Sequence, residues 1–271
     1  MPSPLLVTGG TGTIGRRVVP LLRAAGREVR ILSRHPLPDY AGVQHVAGDT
    51  VAGTGLRAAL AGVETVLHLA GGAKGDDIAA RNLAAAAHEA GARHIVLISV
   101  IGADRMPIGY FRAKAAAERA IAGSGVPWTV LRAAQLHDFL LPIVKGLARL
   151  PITPLPGGLR FEPVHVDEVA ARLVQLSLAA PAGATPDLAG PEVLGIGELV
   201  TTYDALRGRR RPRLALRMPG AVGRAYRAGE NLAAPSAMRG ERGWAQFLAE
   251  APAATEAADL RALSPAEPDA D

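Results

Sequence analysis

The sequence predicts an α/β fold: a doubly wound parallel sheet with helices on both faces and a small C-terminal substrate lobe. Three observations carry this. Short apolar runs alternate with helical patterns six times before residue 150. A glycine-rich stretch stands between the first apolar run and the first helix. After Leu150 the rhythm breaks into shorter pieces rich in Pro and Gly. Alternating strands and helices need crossover connections, which make the strands parallel and put the helices on the sheet faces.

The elements follow in order. "PLLVTGG" is a short apolar run ending in glycine, a buried strand. "GTIGRRVVPLLRAAG" repeats apolar residues at helical spacing (Ile14, Val18, Val19, Leu21, Leu22) and stops at Gly26. "EVRILSR" and "VQHVAGD" are the second and third strands, and "GLRAALAGV" is a short helix. "ETVLHLAGG" is the fourth strand, followed by the Ala-rich helix "DIAARNLAAAAHEAGA". "RHIVLISV" is the fifth strand, "GYFRAKAAAERAIAGSG" a long helix, and "PWTVLRAAQL" the sixth strand with its exit loop.

Beyond residue 150, "PITPLPGGLRFEP" reads as a surface loop. "HVDEVAARLVQLSLAA" is an amphipathic helix with Asp167 as a candidate N-cap. "GATPDLAGPE" is a loop with one strand at most, "GIGELVTTYDALRG" a helix, and "RPRLALRMP" an alternating strand. Residues 219–233 and 241–250 are further helix. The expected division is a dinucleotide-binding core at 1–150 and a small lobe with a core-packing helix at 151–250. A disordered acidic tail is expected at 251–271, where "APAATEAADLRALSPAEPDAD" has little to bury.

Composition narrows the chemistry. The chain has no cysteine, which excludes disulfides and thiolate catalysis and fits a reducing, cytoplasmic setting. No charged and apolar leader opens it, and no apolar run approaches the ~20 residues of a membrane span. Six acids and one Arg in residues 250–271 leave residues 1–249 with a charge of +10. Such a body can attract phosphorylated cofactors or acidic substrates. "RGRRRPRLALR" holds six Arg but neither interleaved aromatics nor a helix-turn-helix, so no nucleic-acid partner is expected.

"TGGTGTIG" places Gly9, Gly12 and Gly15 between the first strand and the first helix. Glycines there let the backbone approach a pyrophosphate, and the helix N-terminus offers free N–H groups to it. An acid about 20 residues later would accept from ribose hydroxyls, whereas Arg favours a 2′-phosphate. Here Ser33 and Arg34 end the second strand, and no acid follows them until Asp39. NADP(H) is therefore expected over NAD(H). Asp49, after the third strand, either accepts from the adenine amino group or caps the next helix.

"YFRAK" sets Tyr110 and Lys114 one helical turn apart, on one face. Only three Lys and four Tyr occur in the chain, so the spacing is an uncommon coincidence. With the glycine loop and the strand rhythm, the chain resembles the short-chain dehydrogenase/reductase superfamily. The closer likeness is to its atypical branch of NmrA-like, NAD(P)H-binding, isoflavone-reductase-like proteins. The stretches that carry it are "VTGGTGTIG", "VLHLAGG", "RHIVLISVIG", "GYFRAKAAAERAI", "GVPWTVLRAAQLHDF" and "PVHVDEVA", over roughly residues 3–250.

The resemblance implies a Rossmann fold and a catalytic set of Ser99, Tyr110 and Lys114. Tyr110 would be the general acid or base. A phenol titrates near pH 10, and a neighbouring cation lowers that by roughly 1–3 units. Lys114 would supply the cation and hold the nicotinamide ribose, and Ser99 would bind the substrate oxygen. The cofactor would also touch Thr11, Thr13 and Ile14 in the glycine loop and Thr50 beside Asp49. Leu69, Ala70 and Gly71 after the fourth strand would lie along it.

Gln135 and Phe139 in "QLHDF" are expected to line the substrate pocket, with no metal at His137 or Asp138. His165 and Asp167 read as capping and packing, Asn82 as a helix residue bonding a neighbouring loop, and Lys74 as a loop or lid residue. The resulting expectation is an NADP(H)-dependent oxidoreductase acting on a small carbonyl, quinone or enone, as a monomer or homodimer. A non-catalytic NADP(H) sensor is the alternative, and a nucleotide-sugar epimerase a weaker one.

Overall fold

The computed structural model describes residues 3–72 and 75–250; the expected tail at 251–271 and Lys74 lie outside the described residues. The first half alternates as the sequence predicts. Its elements are β1 (Leu5–Thr8), α1 (Gly15–Ala24), β2 (Val29–Ser33), β3 (Val43–Ala47), α2 (Leu56–Leu60), β4 (Thr65–His68) and α3 (Asp76–Glu89). β5 (His94–Val100), α4 (Gly109–Ala122), β6 (Trp128–Ala133) and α5 (His137–Leu147) follow.

The second half holds β7 (Thr153–Gly157), β8 (Arg160–Phe161), α6 (Val166–Leu178), β9 (Gly183–Ala184), β10 (Leu188–Ala189) and β11 (Leu194–Gly195). It ends with α7 (Ile196–Ala205), β12 (Arg213–Arg217), α8 (Gly220–Ala228), β13 (Met238–Arg239) and α9 (Trp244–Glu250).

Nine strands form one sheet in the order β13-β10-β6-β5-β4-β1-β2-β3, with β9 also beside β6. Its pairings are parallel. Strand order reverses between β1 and β4, where Thr8 pairs with His68. Such a reversal opens a crevice at the carboxyl ends of the strands.

The period-two alternation of the strands sorts the core into two layers. Leu5, Val7, Ile31, Leu67, Val96 and Leu131 pack against Val18, Val19 and Leu22 of α1 and Val169, Leu173 and Val174 of α6. Leu6, Leu32, Val66, Ile95 and Leu97 face the other way, against Leu60, Leu83, Ala84, Ala117 and Ile121. The second layer is built by α2, α3 and α4, and the alanines of α3 and α4 let those two helices lie close.

The later elements differ from expectation in three places. "PITPLPGG", expected as a loop, forms β7, which pairs in parallel with β12. Pro154 and Pro156 are two residues apart, so their missing N–H groups face the same, unpaired side; Pro tolerates a strand on those terms. "GATPDLAGPE" supplies two short strands, β9 and β10, rather than one. The cap of α6 is His165, whose Nδ1 accepts from the Asp167 amide at 3.2 Å, and not Asp167. Asp167 instead bridges Arg17 of α1 (3.3 Å) and Arg242 (3.2 Å).

A third apolar cluster joins α5, α7, α9 and β8 through Leu140, Val144, Phe161, Leu199, Val200 and Trp244. Trp244 Nε1 donates to the Leu199 carbonyl at 3.1 Å. The fully buried His137 stacks on Phe247 with ring centroids 4.8 Å apart. Neither of its ring nitrogens meets hydrogen-bond geometry with a partner, although the Pro163 carbonyl favours the charged form. Burial, and then the neighbouring His165, lower its pKa to about 4.

Stability held by a neutral His137 is therefore present above the ordinary imidazole value and lost as pH falls toward 4. His137→Phe keeps a stacked ring and removes the charge. It should raise the melting temperature at pH 5 by several degrees more than at pH 8. Parallel melting curves for the two proteins across that range would remove His137 from the acid lability.

Candidate active site

The first wall of the crevice is the glycine loop. Gly9 has φ +71°, and a Cβ on it would lie 2.7 Å from the Ala70 amide nitrogen. A Cβ on Gly15 would run into the Gly9 carbonyl and the Gly10 backbone. The Gly12 amide donates to the Gly9 carbonyl at 3.0 Å, closing the turn into α1. In the first turn of α1 the Arg16 amide donates to the Gly12 carbonyl and those of Arg17 and Val18 to the Ile14 carbonyl, all at 3.0 Å, which leaves the amides of Thr13, Ile14 and Gly15 without a backbone partner among the described residues. Thr11, Thr13 and Ile14 sit on this turn, half-buried or exposed.

The second wall is the exit of β2. Ser33 Oγ donates to the His35 carbonyl (3.1 Å) and accepts from its amide (3.2 Å). Arg34 is exposed beside it and makes no ion pair among the described residues. Asp39, the first acid after β2, is turned away: its Oδ1 accepts from the His45 amide of β3 at 2.7 Å. Asp49 Oδ1 accepts from the Val51 amide at 2.7 Å and the Ala52 amide at 3.3 Å. It closes this turn and does not cap α2, whose N-cap is Gly55. Asn82 bonds the same loop, donating from Nδ2 to the carbonyls of Thr50 and Val51, both at 2.9 Å. Asn82 thereby ties α3 to the segment that carries Asp49 and Thr50.

The floor lies at the ends of β1, β4 and β5. The Thr8 hydroxyl accepts from the Ala70 amide at 3.2 Å and sits 2.6 Å from His68 Nδ1. The hydroxyl proton is thus free to donate to that nitrogen. Burial lowers the His68 pKa to about 4, with Lys114 adding to the effect and Asp76 opposing it. His68 is a neutral imidazole under the site. The Ser99 hydroxyl, at the end of β5, is buried with no hydrogen-bond partner among the described residues.

Lys114 and Tyr110 come from α4. Lys114 Nζ lies 2.8 Å from Asp76 Oδ2, and both side chains are over 90% buried. Asp76 Oδ1 accepts from the Gly72 amide at 2.7 Å. A Cβ on Gly71 would lie 2.9 Å from Lys114 Nζ, so the pair packs directly on the loop after β4. Tyr110 is 38% exposed, with Lys114 Nζ 5.9 Å from its ring centroid. Its pKa is not lowered as the sequence alone suggests. Loss of hydration pushes the phenol up to about 12, and Asp76 acts in the same direction.

Gln135, at the exit of β6, is half-buried with both amide atoms shielded and unpartnered among the described residues. Phe139, in the first turn of α5, is 61% exposed. The structure thus gathers the glycine loop, residues 69–71, Lys114 and Tyr110 around one crevice. Two members are not foreseen from the sequence: His68 and Asp76. The acids of "GDD" at the head of a helix are a visible signal, but the partner of Asp76 lies 38 positions away.

Comparisons agree with this geometry. A protein family described as NAD(P)H-binding matches residues 9–175. The (4-alkanoyl-5-oxo-2,5-dihydrofuran-3-yl)methyl phosphate reductase of Streptomyces griseus subsp. griseus is 32% identical over 212 residues, 76% of this chain and 74% of that protein. The NAD(P)H azoreductase of Xenophilus azovorans is 29% identical over 212 residues, with the same coverage. An NADPH-dependent quinone oxidoreductase from Escherichia coli, solved with NADPH, superposes with a TM-score of 0.74. It covers 90% of this chain and 98% of that one at 19% identity, a likeness of fold alone. The chain belongs to the NAD(P)H-binding family, within the atypical, NmrA-like branch of the short-chain dehydrogenase/reductase superfamily.

Proposed function

We propose that the protein is an NADPH-dependent reductase of a small carbonyl, quinone or enone. One observation supports the reading: the Gly9 turn packs on Ala70, and Lys114, with Tyr110 one turn before it, packs on Gly71 of the same loop. The glycine turn fits a dinucleotide, because Gly9 and Gly15 stand where a Cβ would strike backbone. NADPH, when bound, supplies a hydride to the substrate. The chain's own residues hold, orient and protonate.

In this reading the turn from Gly9 to Gly15 holds the pyrophosphate at the N-terminus of α1. Arg34 meets the 2′-phosphate, since Asp39 is committed to β3 and no acid competes at the exit of β2. Lys114 takes the nicotinamide ribose. The unpartnered Ser99 hydroxyl binds the substrate oxygen. Tyr110 then donates its proton to that oxygen. The phenol carries its proton at neutral pH, although a pKa raised to about 12 makes it a weaker donor than a free phenol. Gln135, whose amide is shielded and unpartnered among the described residues, would have to turn out from the exit of β6 to meet the substrate, and Phe139 would flank it. Residues 151–250 supply the cover on that side. Relatives named as a reductase of a (4-alkanoyl-5-oxo-2,5-dihydrofuran-3-yl)methyl phosphate and as an azoreductase support a conjugated or carbonyl acceptor.

A non-catalytic NADP(H) sensor is the second reading. The observation in its favour is that Lys114 is ion-paired with Asp76 and that the Tyr110 pKa is raised and not lowered.

NADPH should bind at least about tenfold tighter than NADH, and Arg34→Ala should remove most of the difference. Titration of both cofactors against both proteins reads this directly. Equal affinities in the wild type would end the assignment of Arg34.

Tyr110→Phe keeps the ring and removes the transferable proton. It should lower kcat on the order of 10²-fold or more while the NADPH Kd stays constant. Turnover within threefold of wild type on an accepted substrate would hand the site to the sensor reading.

A further inference from the structure

The least expected group in the crevice is Asp76. It is 4% exposed and opens α3. Its two carboxylate oxygens engage different partners. Oδ1 accepts from the Gly72 amide at 2.7 Å, and Oδ2 stands 2.8 Å from Lys114 Nζ. Gly71 lies against the pair, and a Cβ there would sit 2.9 Å from Nζ and 3.2 Å from Oδ2. Three pieces of chain therefore meet at one carboxylate: the loop after β4, the start of α3 and the catalytic face of α4.

We propose that Asp76 is a positioning residue, and that the Asp76–Lys114 pair, rather than the lysine alone, is what the site presents to the cofactor ribose and to Tyr110. The proposal rests on the reductase reading for its ligand. A carboxylate and an ammonium 2.8 Å apart form an acceptor beside a donor. A vicinal diol such as a ribose offers the matching hydroxyls, each able to donate and accept.

The pair also sets the electrostatics. A buried ammonium with no counter-ion would stabilise phenolate strongly, whereas a closely paired one is nearly neutral at a distance. The groups that face Lys114 are Asp76 from α3, His68 from β4 and Tyr110 from its own helix. His68 is neutral, so Asp76 alone balances the lysine. Asp77, next in α3, points its carboxylate to Arg81 at 2.9 Å and takes no part. Tyr110 keeps its proton first through loss of hydration, and Asp76 acts in the same direction.

The test compares Asp76→Asn with wild type. The amide keeps an oxygen for Gly72 and loses the charge. Phenolate absorbance, corrected with Tyr110→Phe in each background, reports the ionisation of Tyr110 without any turnover. In wild type Tyr110 should stay protonated to about pH 11. In Asp76→Asn its midpoint should fall by roughly one unit or more, because Lys114 is left unopposed. Calorimetric titration should show NADPH binding weakened about three- to tenfold, the cost of one ribose contact. Asp76→Glu should recover part of both effects.

A folded Asp76→Asn protein with an unmoved Tyr110 titration and unchanged NADPH affinity would overturn the proposal and leave Asp76 a loop anchor only. If Asp76→Asn does not fold, Lys114→Met is compared with Asp76→Asn/Lys114→Met, in which neither charge remains. The Tyr110 midpoint should be higher in the single variant, where Asp76 stands alone, than in the double. Equal midpoints would overturn the proposal. A protein inactive on every acceptor but with the expected titration would retain the pair and discard the reductase reading.

Discussion

The close approach of the first loop to the exit of β4 is the constraint on which the site depends. Gly9 passes the Ala70 backbone with no room for a Cβ, and Gly15 passes Gly9 in the same way. A side chain at either position would force β1 and β4 apart at the reversal of strand order. Those strands are hydrogen-bonded neighbours over Leu5–Thr8 and Thr65–His68, so the loop cannot retreat without unzipping the centre of the sheet. The direction of α1 follows from this turn. Its apolar face, Val18, Val19 and Leu22, then falls on the layer shared with α6. One short glycine sequence thus fixes a helix, a sheet crevice and the turn proposed to hold the pyrophosphate together.

This explains why so much of the architecture is legible in the sequence. Burial on both faces makes parallel strands read as continuous apolar runs, and their helices carry a distinct period. The glycine loop is local, and its meaning comes from the elements on either side. What is not legible is non-local. β7 hides because its two prolines argue against a strand unless the pairing partner, β12, is known. The cap of α6 lies two residues before the expected one because imidazole is an unusual capping acceptor; only the fold brings His165 Nδ1 to the Asp167 amide. The sequence leaves Asp49 open between two roles, and the structure assigns its oxygen to a third, the turn through Val51 and Ala52.

The candidate site divides along the same line. Tyr110 and Lys114 are visible because a helix fixes their spacing at one turn. Their electrostatics are not, because Asp76 reaches them from another helix across the mouth of β4 and β5. "YFRAK" by itself gives the tyrosine a cation and a lowered pKa. The fold gives it a neutralised cation, partial burial and a nearby carboxylate, and the direction reverses. The sign of a pKa shift at such a site is a property of the whole charge set and cannot be taken from one pair.

That reversal bears on what the crevice is suited to do. A depressed phenol would serve either direction of hydride chemistry, as base for an alcohol or acid for a carbonyl. A phenol held near 12 is a poor base at neutral pH, because almost none is ionised, but its proton is always present. The floor has the same character. His68 is neutral and the Ser99 hydroxyl is uncommitted, so among the described residues the floor places no charged base at the ends of β4 and β5 other than the paired Asp76. Together with the Asp76–Lys114 pair, these groups make a crevice that is polar yet close to charge-neutral. An uncharged acceptor could enter it without leaving any buried charge unpaired, whereas a charged reacting centre would have to. That balance of charges supports the proposed neutral carbonyl or quinone-like acceptor.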